Sequence, residues 1–128
     1  MTENEISRIV IESALKVHRA LGPGLLESAY LECLTYELAK TQLHIENRKS
    51  LPLIYLDVKL NAGFRVDIMI ENKFIVEVKA VESISDLHLA QIITYLKLAD
   101  CKLGLLINFN VPLLKQGLRR IANNYIEY

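Results

Sequence analysis

The sequence predicts an α/β domain in which helices flank a mixed β-sheet. Three observations carry this reading. Apolar residues recur at helical spacing near the start, two neighbouring segments in the middle alternate apolar with polar, and one later segment is continuously apolar. With 128 residues, 52% hydrophobic and 23% charged, the chain has the length and composition of one domain with a real core, which excludes a disordered linker.

The first helix is expected from Ile6, with Ile9, Val10, Ala14, Val17 and Leu21 on one face. Gly22-Pro23-Gly24 stops it, because proline disfavours helical geometry in the residue before it and glycine permits reversal. A second helix follows from about Leu25 to Lys40. His44 to Leu60 reads as one or two strands beginning at a sheet edge, since Pro52 cannot donate to a ladder. Gly63 to Ile70 and Phe74 to Ala80 are the clearest strands. Ser83 and Ser85 offer N-caps for a helix to about Ala99. Leu103 to Phe109 reads as a strand covered on both faces and parallel to a neighbour reached through that helix. Pro112 opens an expected last helix with Leu113, Leu114, Leu118 and Ile121 as its stripe.

Composition narrows the function. No apolar run approaches the ~20 residues that cross a bilayer, so no membrane partner is expected. Met1 to Glu5 carry no basic n-region, so no signal peptide is expected. Fifteen basic residues balance fifteen acidic ones, which excludes a generic polybasic binder but not a local basic patch. Cys33 and Cys101 lie far apart without a metal or redox motif and read as reduced thiols of a cytoplasmic protein.

The two clear strands bring chemistry together. Placing Phe64, Val66, Ile68 and Ile70 on one face with Phe74, Val76, Val78 and Ala80 sets Ile70 opposite Phe74 around Glu71-Asn72-Lys73. Asp67 then falls opposite Glu77, with Cβ atoms about 4.5–5.5 Å apart, where like charges repel. A two-residue turn would avoid the clash but scramble the buried face. Arg65 would oppose Lys79, one alternate position along. Two carboxylates beside a lysine suit a hard divalent cation and an activated water. An ordinary cross-strand ion-pair cluster of Asp67, Glu77, Arg65 and Lys79 fits the same spacing.

A third acid favours the first reading. On a helical wheel Glu27 falls with Tyr30, Leu31, Leu34 and Leu38, whereas Ser28, Glu32 and Thr35 form a polar arc. A carboxylate aimed at apolar surroundings needs a partner. Its position in the first helical turn also gives it the helix dipole and free amides.

Gly24-Leu25-Leu26-Glu27-Ser28-Ala29-Tyr30 resembles the G-x-x-E-x-x-Y signature of the small bacterial and archaeal GxxExxY proteins. Val17 to Pro23, Gly63 to Asp67, Glu77 to Ala80 and Gly104 to Phe109 resemble the same family, so the likeness spans about Ile6 to Ile121. That family is grouped with the PD-(D/E)XK nuclease-like superfamily, which implies a restriction-endonuclease-like core. The resemblance implies Asp67 and Glu77 as metal-binding acids, Lys79 beside the attacking water and Glu27 as an additional metal acid. Gly24 and Tyr30 are supporting positions. Gln91 and Tyr95 resemble the Q-x-x-x-Y motif of the lambda-exonuclease-like branch, which helps to hold substrate phosphate. Val66 stands where many members have proline.

Other residues carry less. Gln91 and Tyr95 alone also fit a helix-edge hydrogen bond, and Tyr30 fits a core position. His18, His44 and His88 lack zinc-ligand spacing, although His88 shares a helix face with Gln91 and Tyr95. Lys115, Arg119 and Arg120 fit a solvated helix face or a phosphate-facing one. The sequence therefore points to a Mg²⁺- or Mn²⁺-dependent nuclease whose partner is DNA or RNA. With no excess of basic charge, its groove would be built locally, across a homodimer or with a partner. The competing readings are a non-catalytic nucleic-acid or protein interaction module and a small-molecule enzyme on the same fold.

Overall fold

The structure, a computed structural model, describes residues 1–125. Helix α1 spans Glu3–Leu21 and is capped by Thr2, whose hydroxyl accepts from Glu5 N while the Glu5 carboxylate accepts from Thr2 N. Helix α2 spans Glu27–Ala39, and α3 spans Asp86–Ala99. Ser85 caps α3, with His88 returning the bond to Ser85 N, so the second of the two expected serines starts that helix. The strands are β1 Ile45–Tyr55, β2 Val58–Ile70, β3 Phe74–Lys79, β4 Leu103–Asn108 and β5 Leu118–Ala122.

These strands form one sheet in the order β1-β2-β3-β4-β5. β3 and β4 are parallel, joined through α3, and the other neighbours are antiparallel. The result is a mixed sheet with α1 and α2 on one face and α3 on the other. Ile68, Ile70, Val76, Val78, Leu105 and Ile107 meet α1 and α2. Met69, Ile75 and Leu106 meet Ile92 and Leu96 of α3. All six residues of β4 are buried, as its unbroken apolar run required. Among the described residues, no helix is long and apolar enough to cross a membrane.

The segment around Pro52 forms two strands: β1 turns at Leu56 and returns as the first half of β2, which starts earlier than Gly63. β1 is an edge strand, and the register shift between Leu51 and Leu53 accommodates Pro52. The expected common face from Phe64 to Ile70 is broken. Phe64 and Val66 lie with α3, whereas Ile68 and Ile70 lie with α1 and α2. The break falls where Arg48, opposite Asp67, has φ 48° and drops out of the β1–β2 pairing. A change of face within a strand is a backbone irregularity that periodicity alone cannot reveal.

The expected last helix is absent. A single 3₁₀ turn, Leu114–Gly117, leads into β5, which covers the free edge of β4. Gly117 sits so close to β4 that a Cβ there would stand 1.9 Å from the Asn108 carbonyl oxygen. Pairing with β4 thus outweighs the helical spacing of Leu113, Leu114, Leu118 and Ile121. Arg119 and Arg120 are consecutive strand residues, so they form no helix face with Lys115.

Candidate active site

The hairpin holds the expected register at Ile70↔Phe74 and Ile68↔Val76, and there the β2–β3 ladder stops. Beyond it, side chains replace backbone pairing. Glu77 Oε2 accepts from Asp67 N at 2.7 Å, and Asp67 Oδ2 accepts from Val78 N at 2.8 Å. The two acids thus hold each other's strands through backbone amides. Arg65 lies past the end of this ladder and is not paired opposite Lys79.

Burial shapes the acids' chemistry. Glu77 is 4% exposed, and desolvation pushes its pKa up to about 7, with the Asp67 charge adding to the rise. Burial also raises Asp67, opposed by the Val78 amide, Lys79 and Arg48. Glu27 is exposed at the start of α2 rather than enclosed by the leucines. Its carboxyl end is sheltered enough to raise its pKa, and the Asp67 charge pushes the same way against Lys79 and His88. The fold therefore gathers Glu27, Asp67, Glu77 and Lys79 in one electrostatic neighbourhood.

Among the described residues, Lys79 makes no ion pair with these acids, so the cross-strand ion-pair cluster is not present. Nor do three or more His, Cys, Asp or Glu side chains form a group that could hold a metal ion. Asp67 and Glu77 make the tight pair, with Glu27 at its rim. From α3, half-buried Tyr95 stacks on Phe64 at 4.9 Å between ring centroids. Burial raises the Tyr95 pKa, with the charges of Glu77 and Asp67 adding to it, while Gln91 one turn earlier opposes the rise. Gln91 itself is exposed.

Two acids and a lysine thus sit on adjacent strands, and comparison with known families places the chain itself. A family model described as the PD-(D/E)XK nuclease superfamily matches residues 4–121. The chain belongs to that superfamily. Searches of curated proteins and of solved structures return no match.

In this PD-(D/E)XK chain, the Gly24–Tyr30 segment builds the wall from which Glu27 projects. Gly24 has φ 104°, which favours glycine, and its N–H donates to Asn110 Oδ1 at 3.1 Å. The buried Tyr30 hydroxyl donates to Gly22 O at 2.6 Å and accepts from Leu25 N at 3.1 Å. Its ring stacks on Phe109 at 4.7 Å. Tyr30 is therefore both a core residue and the brace of the loop preceding Glu27.

Three residues support the site in roles that the sequence reading does not assign, His18 being weighed there only as a zinc ligand. Asn108, 2% exposed, accepts from Val81 N and Asn110 N and donates to Val81 O, which fixes the chain just after Lys79. His18 donates from Nε2 to Val111 O at 2.8 Å, and Asn110 anchors Gly24. A signal existed for Asn108: an amide within an otherwise apolar buried run must find hydrogen-bond partners. His18 and Asn110 carry no comparable pattern.

Proposed function

We propose that this superfamily member is a Mg²⁺- or Mn²⁺-dependent nuclease that hydrolyses phosphodiester bonds in DNA or RNA. The observation that carries the reading is the reciprocal Asp67–Glu77 clasp beside a lysine that forms no ion pair among the described residues. Each acid gives one oxygen to a backbone amide, leaving Asp67 Oδ1 and Glu77 Oε1 without a hydrogen bond among the described residues. Two carboxylates with those oxygens suit Mg²⁺, which keeps several waters and commonly takes one or two carboxylates. Asp67 and Glu77 would hold the cation, with Glu27 contributing charge from the rim.

The bound cation supplies positive charge that acidifies water and offsets charge developing on phosphate. Lys79 orients the attacking water and helps to deprotonate it. Gln91 and Tyr95 hold the substrate phosphate from α3, and Tyr30 with Gly24 keeps Glu27 in place. The carboxylate clasp limits movement between β2 and β3, so little reorganisation is needed when substrate arrives. The balanced charge supports a groove assembled locally or doubled in a homodimer, and the free thiols Cys33 and Cys101 support a reducing, cytoplasmic setting.

The test follows melting temperature with Mg²⁺ or Mn²⁺ alongside cleavage of labelled single- and double-stranded DNA and RNA. A rise in melting temperature with metal-dependent cleavage is expected. Indifference to both cations and no cleavage of any substrate would favour the non-catalytic interaction module.

A further inference from the structure

Arg65 precedes Asp67 by two residues on β2, about 7 Å along the strand. It is exposed and, among the described residues, forms no hydrogen bond or ion pair. Its register partner on β1 is Ser50, so both side chains lie on the same face of the hairpin. Together with Leu51, Pro52, Gly63 and Phe64 they line a cavity of about 370 Å³ at the base of the outer hairpin. Among the described residues, no acidic side chain lines it. Arg48, the β1 residue facing Asp67, adds a second positive charge close enough to lower the Asp67 pKa.

A guanidinium without a partner among the described residues, a hydroxyl beside it and a concave wall suit an anion with several oxygens. Arginine's planar fork matches phosphate in two bonds, and serine can add a third. The spacing along β2 separates this position from the acid pair. A strand whose scissile phosphate lies at Asp67 and Glu77 would bring a different phosphate to Arg65. Phe64, which also lines the cavity, stacks on Tyr95 of α3.

We propose that this cavity binds a non-scissile phosphate of the nucleic-acid strand, with Arg65 as the guanidinium ligand and Ser50 as a hydroxyl donor. The proposal rests on the nuclease reading of the acid pair. Arg65 and Ser50 would then set the register of the strand: they hold its backbone without reading base sequence.

The test is fluorescence-anisotropy titration of labelled single-stranded and duplex oligodeoxynucleotides in EDTA across a salt series. Wild type, Arg65→Ala, Arg65→Lys, Ser50→Ala and the exposed control Arg8→Ala are compared. Arg65→Ala should weaken binding several-fold and reduce the salt slope by roughly 0.7 for the single strand. Arg65→Lys should retain the slope but bind less tightly than wild type, and Ser50→Ala should lose about twofold. In metal-dependent cleavage, Arg65→Ala should raise KM with kcat near wild type. An unchanged affinity and salt slope in Arg65→Ala would overturn the proposal, as would an equal loss in Arg8→Ala or a wild type that binds neither probe. Cleavage with binding independent of Arg65 would overturn this proposal alone. Arg65-dependent binding without cleavage in Mg²⁺ or Mn²⁺ would overturn the nuclease reading alone.

Discussion

Asp67 and Glu77 each hydrogen-bond the other's strand through a backbone amide, the carboxylate of Glu77 to Asp67 N and that of Asp67 to Val78 N. The pair that like-charge repulsion should drive apart is therefore built into the sheet. Each acid replaces a rung of the ladder, and the amide dipoles offset part of the cost of burying charge.

Metal-free protein should lose stability as pH rises. Glu77 has a folded pKa of about 7 against an ordinary 4.5, so the folded state retains its proton more strongly. Its contribution is fully present below about 4.5 and is lost as pH rises through about 7, a change of order 3 kcal/mol. Asp67 and Glu27 are shifted upward as well and act in the same direction. Melting temperatures between pH 4.5 and 8 should fall without metal. On the proposed metal-dependent reading, Mg²⁺ should flatten the decline, since a cation held by these acids favours their deprotonated form. A flat metal-free profile would contradict the desolvation of Glu77.

Glu77→Gln should keep the fold and remove most of that slope. The amide oxygen can still accept from Asp67 N, while the buried charge is gone. Above pH 7 the metal-free variant should melt above wild type, yet gain nothing from Mg²⁺. Paired melting curves in EDTA and Mg²⁺ read both effects.

Asp67 separates charge from hydrogen bonding. Asp67→Asn retains an acceptor for Val78 N, whereas Asp67→Ala leaves that amide without its partner. The alanine variant should be less stable than the asparagine variant by about 1–3 kcal/mol, and both should lose metal-dependent stabilisation. Urea titration compares the two, and equal midpoints would remove Asp67 from the strand clasp.

Tyr30→Phe tests the brace behind Glu27. The ring stack on Phe109 remains, but Gly22 O and Leu25 N lose the hydroxyl that joins them. A loss of about 1–2 kcal/mol is expected, with slower cleavage because the loop before Glu27 loosens. Urea titration and cleavage rates check these effects, and wild-type values for both would make Tyr30 a packing residue only.

Much of this architecture could be read from residue patterns because strong packing preferences agreed with local ones. The stripe of α1, the Ser85 cap, the unbroken run of β4 and the Ile70↔Phe74 register all do so. Tertiary contacts decided the failures. Gly117 permits close approach to Asn108 and turns an expected helix into β5, while β2 changes face between Val66 and Ile68 opposite the left-handed Arg48. Alternation placed Asp67 and Glu77 together, but it could not reveal that their carboxylates replace ladder bonds. The helical wheel grouped Glu27 with the leucines, yet it starts α2 and stays exposed where Leu31 and Leu34 are buried.

Lys79 offers the sharpest separation of chemistry from structure. It forms no ion pair within the cluster among the described residues, so Lys79→Ala should change metal-free stability by less than about 1 kcal/mol. Its positive charge nonetheless lowers the pKa values of Glu27, Asp67 and Glu77. Removing it should move the pH-dependent loss of stability to higher pH. Above pH 8, where the acids are ionised, Mg²⁺ or Mn²⁺ should bind at least as tightly, since a neighbouring cation has gone. Turnover should fall by 10²-fold or more if the lysine orients and helps to deprotonate water, with ~10²–10⁴ typical of such proton-transfer roles. Melting curves across pH, metal titrations and single-turnover cleavage read these effects separately. Wild-type cleavage by Lys79→Ala would remove the lysine from the chemistry, whereas unfolding would show that it supports the sheet instead.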